Sequence, residues 1–322
     1  MDTKIYDVVA LGELLIDFIE CGTSEQKNTV FEANPGGAPC NVLAMLNRFG
    51  HRTAFIGKVG NDFFGNQLNM ALSEAGIDDI GLKIDYEVHT TLAMVHKKED
   101  GDREFSFYRN PGADMRLTKA EIPEELIRNC RIFHFGTISM TNESVREATV
   151  YAVNIAKKEK KIISFDPNLR LPLWQNMEIL RECIIFGLKN CTILKIADNE
   201  LVWLTGQEDY DTGIEWIQGE FNIPLILLSM GKRGSKAYWK NHVLCQKAYL
   251  RSDTIETTGA GDTFMGCILH FILEYGLEHL NEERIRSMLR FANAAASIIT
   301  TRKGALRVMP TVEEVVTELV KN

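Results

Sequence analysis

The stretch E-T-T-G-A-G-D-T-F-M-G, Glu256 to Gly266, joins a glycine-rich turn, a lone carboxylate at Asp262 and an apolar run long enough to open a buried helix. Glycine lets a backbone approach a ligand without a Cβ clash, so Gly259-Ala260-Gly261 can present several N–H groups at a helix N-terminus. Those donors and the helix dipole together make an anion site. A carboxylate beside them would be repelled by a resting anion and so has a separate task. It can take the proton of a hydroxyl that attacks an electrophile held by the amides, which is what phosphoryl transfer requires. The plainer reading is an Asp cap on a tight turn. The same helix terminus is expected to lower the Asp262 pKa and make it a weak base, tolerable where proton transfer comes late.

Outward from this motif the chain alternates short apolar runs with helical patterns. Strands are predicted at Asp7–Leu11, Thr53–Val59, Arg131–Phe135, Lys161–Phe165, Thr192–Ile196 and Leu225–Ser229. Helices are predicted at Ala38–Phe49, Asp62–Ala75, Asn142–Lys158, Met177–Leu188, Asp262–Tyr275, Glu282–Thr300 and Thr311–Val320, with Gly50 and Gly76 as stops for the first two. That order implies βαβ units: an α/β fold with a mostly parallel sheet covered on both faces. Ser235–Trp239 and His242–Ala248 suggest an antiparallel pair at one edge. One segment breaks the rhythm: Leu92–Lys97 and Glu104–Arg109 flank a turn around Asp100-Gly101 and read as a hairpin, with Phe105 and Phe107 on one face. Ile16–Glu20 and Val30–Ala33 are expected to join it in a small sheet, a lid whose apolar face needs cover from the main body or a second subunit.

Ligands of open parallel sheets bind beyond the carboxyl ends of the strands. Polar groups follow strand after strand here: G-E-L-L-I-D with Asp17, G-T-I-S, D-P-N-L-R with Asp166, Asn168 and Arg170, A-D-N-E with Glu200, and M-G-K-R-G. Polar loops at strand ends are ordinary singly; the whole set points to one active-site edge. No G-x-x-x-x-G-K-[ST] loop is present, no G-x-G-x-x-G follows the first strand, and no G-x-S-x-G elbow occurs.

Composition bounds the rest. The 322 residues, 45% hydrophobic and 25% charged, are those of a soluble globular chain. A net charge of −8 and the lack of a basic run argue against nucleic-acid binding. Seven scattered cysteines without a C-x-x-C pair read as reduced thiols, and no H-E-x-x-H marks a transition metal. No apolar run approaches the ~20 residues of a membrane span, and no signal peptide is evident at the N-terminus. The expectation is a cytoplasmic protein.

Two ordered signatures carry a resemblance: N-P-G-G-A-P-C-N-V-L-A at residues 34–44, continuing to F-I-G-K-V-G-N-D-F-F-G, and T-T-G-A-G-D-T-F-M-G at 257–266. Between and beyond them lie G-E-L-L-I-D, F-Y-R-N-P-G-A-D-M, D-P-N-L-R and the tail A-N-A-A-A…T-R-K-G-A. Over nearly its whole length the chain resembles the ribokinase-like (PfkB) carbohydrate kinases, most closely the bacterial fructokinases. The resemblance implies one three-layer α/β/α domain over residues 1–322, with a small β lid from about 14–35 and 88–112; the Phe105/Phe107 face that needs cover suggests a homodimer through that lid. It implies ATP-dependent, Mg²⁺-assisted phosphorylation of a sugar, D-fructose to D-fructose 6-phosphate; 2-keto-3-deoxygluconate and ribose are the alternatives of the same fold. A sugar sensor or scaffold without catalysis is the alternative of another class, and a dehydrogenase is weaker still.

On the same ground Asp262 is the base and the amides of Gly259, Ala260 and Gly261 form the anion hole. Asp17, Gly36, Gly37 and Asn41 face the sugar, with Arg109 from the lid and Arg170 near substrate or phosphate. Lys195, Glu200, Ser229, Gly231, Gly234 and Asn293 serve the nucleotide, and Glu200 places Mg²⁺ through water. Each has a plainer reading: a turn residue for Asp17, a helix cap for Asn41, a solvated charge for Arg109, a surface ion pair for Arg170, a first-turn acid for Glu200, helix packing for Asn293. The sequence departs from the pattern at Glu256, where Asp is usual, which leaves open a K⁺ site near Glu256 and Thr258. It departs again at Ala197, where Asn is common, and at Cys40 and Cys267, which are expected only to pack.

Overall fold

The computed structural model describes residues 5–97 and 103–321; the turn around Asp100-Gly101 and the side chain of Phe105 lie outside the described residues. The chain runs β1 (Tyr6–Leu11), β2 (Leu15–Thr23), β3 (Thr29–Gly36), α1 (Ala38–Arg48), β4 (Thr53–Gly60), α2 (Phe63–Glu74), β5 (Asp78–Asp85), β6 (Leu92–Lys97) and β7 (Arg103–Tyr108). It continues through α3 (Glu124–Arg128), β8 (Cys130–Gly136), α4 (Glu143–Lys158), β9 (Ile162–Asp166), α5 (Met177–Asn190), β10 (Ile193–Ala197), α6 (Asp198–Thr205) and α7 (Tyr210–Glu220). It ends with β11 (Leu225–Ser229), β12 (Ser235–Trp239), β13 (His242–Gln246), α8 (Ala260–Tyr275), α9 (Glu282–Ile299) and α10 (Val312–Lys321).

Nine strands form one sheet in the order β13-β12-β11-β10-β9-β8-β1-β4-β5. Neighbours from β11 to β5 are parallel, and β12 and β13 extend the sheet antiparallel at one edge. The strands read as continuous apolar runs because both faces are covered. In β1, Val8 and Ala10 enter the core shared with α1, α2, α8, α9 and α10, whereas Val9 and Leu11 enter the core shared with α3 to α7. Side-chain caps fix where several helices begin: Asp62 accepts from Gly65 N–H, Asn142 from Ser144, Asn176 from Glu178, Asp209 from Thr212 and Asn281 from Arg284. Cys40 and Cys267 are fully buried in the first core, so they pack as expected.

Four elements escape a reading of periodicity, among them α3, which at five residues is too short to show a helical pattern. Strand β5 carries Asp78, Asp79 and Gly81 and exposes Ile80 and Ile84, so it lacks the apolar run of its neighbours. Helix α6 is one of the shortest, and α7 contains Gly213 and Gly219, which weaken a helical pattern.

The second sheet has the order β3-β2-β6-β7, with β2 parallel to β6 and antiparallel pairs at both flanks. Phe105 pairs with Val95 and Phe107 with Ala93, so the two strands pair antiparallel as expected, the second over Arg103–Tyr108 rather than Glu104–Arg109. In the large sheet β1 lies between β4 and β8, so successive connections leave it in opposite directions. The crevice beyond the carboxyl ends of β1 and β8 is therefore the switch point at which such folds bind ligands. Among the described residues no helix is long and apolar enough to cross a membrane.

Candidate active site

Gly259 caps α8 in the left-handed region, φ 76°, and a Cβ there would come within 2.6 Å of the Ala305 Cβ; only glycine makes this turn without strain. Ala260, Gly261 and Asp262 form the first turn of the helix, where amides have no intrahelical acceptor. At Gly266 the helix passes so close to α1 that an added Cβ would meet the Met45 Cβ at 2.6 Å. That close approach brings Asn41 of α1 to Asp262: Asn41 Nδ2 donates to Asp262 Oδ2 at 2.8 Å. The Asn41 Oδ1 acceptor, though buried, has no hydrogen-bond partner among the described residues, so it can receive a ligand hydroxyl.

The expected pKa depression of Asp262 is not found. Burial pushes this carboxyl up to about 6; Asn41 and the more distant Lys195 and Arg170 oppose the shift, and Asp166 adds to it. Desolvation outweighs the helix terminus because the group lies in the floor of the crevice rather than on a solvated turn. The result is a better base, still ionised at neutral pH.

Beside this turn lies a charged cluster from β9, β10 and α6. The Lys195 ammonium contacts both oxygens of Asp166, at 3.2 and 2.9 Å, and lies 3.2 Å from where a Cβ on Gly261 would stand. Burial alone would lower the Lys195 pKa, but Asp166 and Glu200 more than offset it and hold it above its ordinary value. Lys195 is therefore a fixed cation at the glycine turn. Both Glu200 oxygens accept backbone N–H bonds, from Leu169 at 2.7 Å and Ala197 at 2.8 Å. Its first-turn placement is thus real, and it ties the loop after β9 to the start of α6. Burial raises the Glu200 pKa against the pull of Lys195. Arg170 extends from the same loop, donating to the Leu169 carbonyl at 3.0 Å. Behind Lys195, His134 and Ser164 hydrogen-bond at 2.9 Å within the sheet, and burial lowers the His134 pKa to about 3, so it is neutral.

At the junction with the second sheet, Gly37 caps α1 above the Glu13 carbonyl, and Gly36 packs against the Asp17 carboxylate. Glu13 accepts the Ala38 N–H at 2.8 Å; burial raises its pKa to about 7. Arg109 is neither solvated nor free to swing. It is 6% exposed, donates from Nε to Asp114 at 2.8 Å, and binds Thr141 Oγ1 and the Ile138 carbonyl at 2.7 and 3.1 Å. Asp114 also accepts from Thr91 at 2.5 Å, so one carboxylate joins the entry of β6 to the exit of β7. An arginine at a strand end reads as a surface charge in sequence; Asp114, five residues on, is what makes it a buried tether.

On the far side, Ser229, Gly231 and Gly234 line the turn between β11 and β12. Asn293 of α9 donates to Ser235 Oγ and the Leu289 carbonyl, each at 2.7 Å, so its amide supports that turn. Glu256, buried, accepts the Gly304 N–H at 2.9 Å and so braces the tail loop below Gly259, with Thr258 adjacent in sequence. Glu13 and Asp114 are absent from the sequence assignment, as is the pairing of Asp166 with Lys195, each of which it names separately. The acids that interrupt apolar runs, Glu13 and Asp166, were the available signal.

Known proteins share the sequence pattern and the architecture. The model of the pfkB family carbohydrate kinases matches residues 6–312, and the chain belongs to that family. It is 42% identical over 307 residues to a probable fructokinase-2 of Arabidopsis thaliana, covering 94% of this chain and 93% of that one. Among solved structures it is similar to a fructokinase from Xylella fastidiosa with bound ATP, at TM-score 0.89, 28% identity and 98% coverage of both chains. It is also similar to a double mutant of the fructokinase from Vibrio cholerae O395 with fructose, ADP and potassium ion bound, at TM-score 0.88, 29% identity, and 98% and 99% coverage.

Proposed function

We propose that the protein is a fructokinase, transferring the γ-phosphoryl group of ATP to the 6-hydroxyl of D-fructose. The observation that carries this is the convergence at one helix terminus of the Gly259–Gly261 amides, the buried Lys195 cation and the Asp262 carboxylate held by Asn41. The amides and Lys195 hold and neutralise the migrating phosphoryl group. Asp262 orients the attacking hydroxyl and accepts its proton, and the open Asn41 acceptor takes a further hydroxyl. Asp17, Gly36 and Gly37 bound the sugar from the second sheet, which serves as the lid. The residues from Ser229 to Gly234 and Asn293 border the nucleotide. The fructokinase likenesses, one with ATP and one with fructose and ADP, support this choice of substrates.

The charge of the cluster supports Mg²⁺. Among the described residues, three carboxylates, Asp166, Glu200 and Asp262, oppose only Lys195 and Arg170, too little positive charge for a triphosphate. Glu200 and Asp166 suit a hydrated Mg²⁺ held through water, which would supply the missing charge on the phosphates. A K⁺ site beside Glu256 and Thr258 is supported by the potassium-bound relative. The enzyme acts in the cytoplasm as a homodimer through its second sheet, where Tyr108 is exposed. Sedimentation tests the dimer, and a monomer would refute it. An ATP-coupled assay with fructose, ribose and 2-keto-3-deoxygluconate, and phosphorus NMR of the product, tests the reaction. Fructose should be preferred and phosphorylated at position 6; preference for either other substrate would reject the assignment.

A further inference from the structure

At the opposite end of α8 from Asp262, three side chains with metal-ligating atoms converge. His51 Nε2 lies 2.8 Å from His270 Nδ1, and the Glu274 carboxylate completes a set whose ligand atoms all lie within 4.8 Å of one another. His270 and Glu274 are four apart on one helix and so project on the same face. We propose that His51, His270 and Glu274 form a binding site for a divalent transition-metal ion of the Zn²⁺ class, with one coordination position left for water.

The donor set is two imidazoles and a carboxylate, which suits Zn²⁺ and its first-row neighbours and poorly suits Mg²⁺. The rings are held in place without the ion. His270 packs against Phe49 with ring centroids 4.5 Å apart, and the His51 side chain is only 9% exposed. The other nitrogen of His51, Nδ1, faces the Asp7 carboxylate at 3.7 Å, the carboxylate–histidine arrangement that orients metal-binding imidazoles. Arg131 hydrogen-bonds Asp7 at 3.2 Å and so restrains that carboxylate as a supporting group rather than a ligand. In the structure the two facing nitrogens share a hydrogen bond. Tetrahedral coordination at about 2.0–2.1 Å needs them roughly 3.3 Å apart, a separation of about half an ångström more. Glu274 is exposed and can swing to the ion without repacking the core. Because His51 precedes β4 and the other two ligands lie on α8, a bound ion would clamp the far end of the catalytic helix to the amino-terminal edge of the sheet.

The test uses full-length, chelator-stripped protein titrated with Co²⁺ in the absence of nucleotide. Wild type should develop visible d–d absorption saturating at one ion per chain, displaced by Zn²⁺, and Zn²⁺ should raise the Tm. His270→Ala and His51→Asn should lose the absorption, and Glu274→Gln should weaken Co²⁺ binding at least tenfold, with kcat for sugar phosphorylation unchanged in Glu274→Gln. Since Glu274 is exposed, that variant will fold even if the histidine variants do not. No absorption change in wild type, or an unchanged titration in Glu274→Gln, would overturn the proposal.

Discussion

Replacing Asp262 by Asn should give a protein that is both inactive and more stable. The Asp262 carboxyl titrates near 6 against an ordinary 3.8, chiefly because of burial. A carboxyl raised in the folded state is favoured by folding only when protonated. Its contribution is complete below pH ~4 and lost as pH rises through about 6, so the ionised group opposes folding at pH 8. A shift of about two units at ~1.4 kcal/mol each sets an upper limit near 3 kcal/mol; the part of the group that reaches the crevice reduces this to roughly 1–3. Asn retains an oxygen for the Asn41 amide, now at 2.8 Å from Oδ2, and brings no charge. Urea unfolding at pH 8 should therefore show the variant more stable by ~1–3 kcal/mol, the gain vanishing near pH 4. In a coupled assay kcat should fall by about 10²–10⁴-fold, the value of a positioned base. Turnover within tenfold of wild type, or a variant destabilised at pH 8, would refute the reasoning.

Further outcomes follow from the same geometry. In wild type, kcat/KM for fructose should fall about tenfold per pH unit below pH ~6 as Asp262 is protonated; a flat profile to pH 5 would exclude it as the base. Lys195→Met should raise the KM for ATP and lower kcat, and cost roughly 3–5 kcal/mol in urea because Asp166 and Glu200 lose their buried partner. Glu13→Gln keeps the bond to Ala38 N–H without the charge that burial resists, so stability lost between about pH 4.5 and 7 in wild type should be retained in the variant. Arg109→Ala should destabilise by about 3–5 kcal/mol by stranding Asp114, whereas a solvated charge there would cost almost nothing.

The strand ends and the order of layers are legible because buried parallel strands must be apolar throughout and helices must follow each of them. The glycine turn at the start of α8 is legible for a similar reason: Gly259 and Gly261 followed by an acid and a long apolar run mark a tight turn into a buried helix, and the structure places Gly259 at positive φ there. What sequence does not show is distance across the fold. Asn41 and Asp262 are 221 residues apart, and only the close passage of α1 and α8 at Gly266 makes them partners. The raised pKa of Asp262 escapes a sequence reading for the same reason, since the local helix terminus is visible in sequence and the desolvating walls are not. Sequence leaves Arg109 either facing the sugar from the lid or solvated, because the acid that buries it, Asp114, sits beyond a Pro-Gly turn whose direction cannot be read.

The central claim is that phosphoryl group and hydroxyl meet at residues 259–262. A crystal structure with fructose and a non-hydrolysable ATP analogue tests it directly. The fructose 6-hydroxyl should lie about 2.6–3.2 Å from an Asp262 oxygen, with the terminal phosphate on the Gly259–Gly261 amides and beside Lys195. A terminal phosphate bound elsewhere, or a sugar whose hydroxyls do not reach Asp262, would contradict the account.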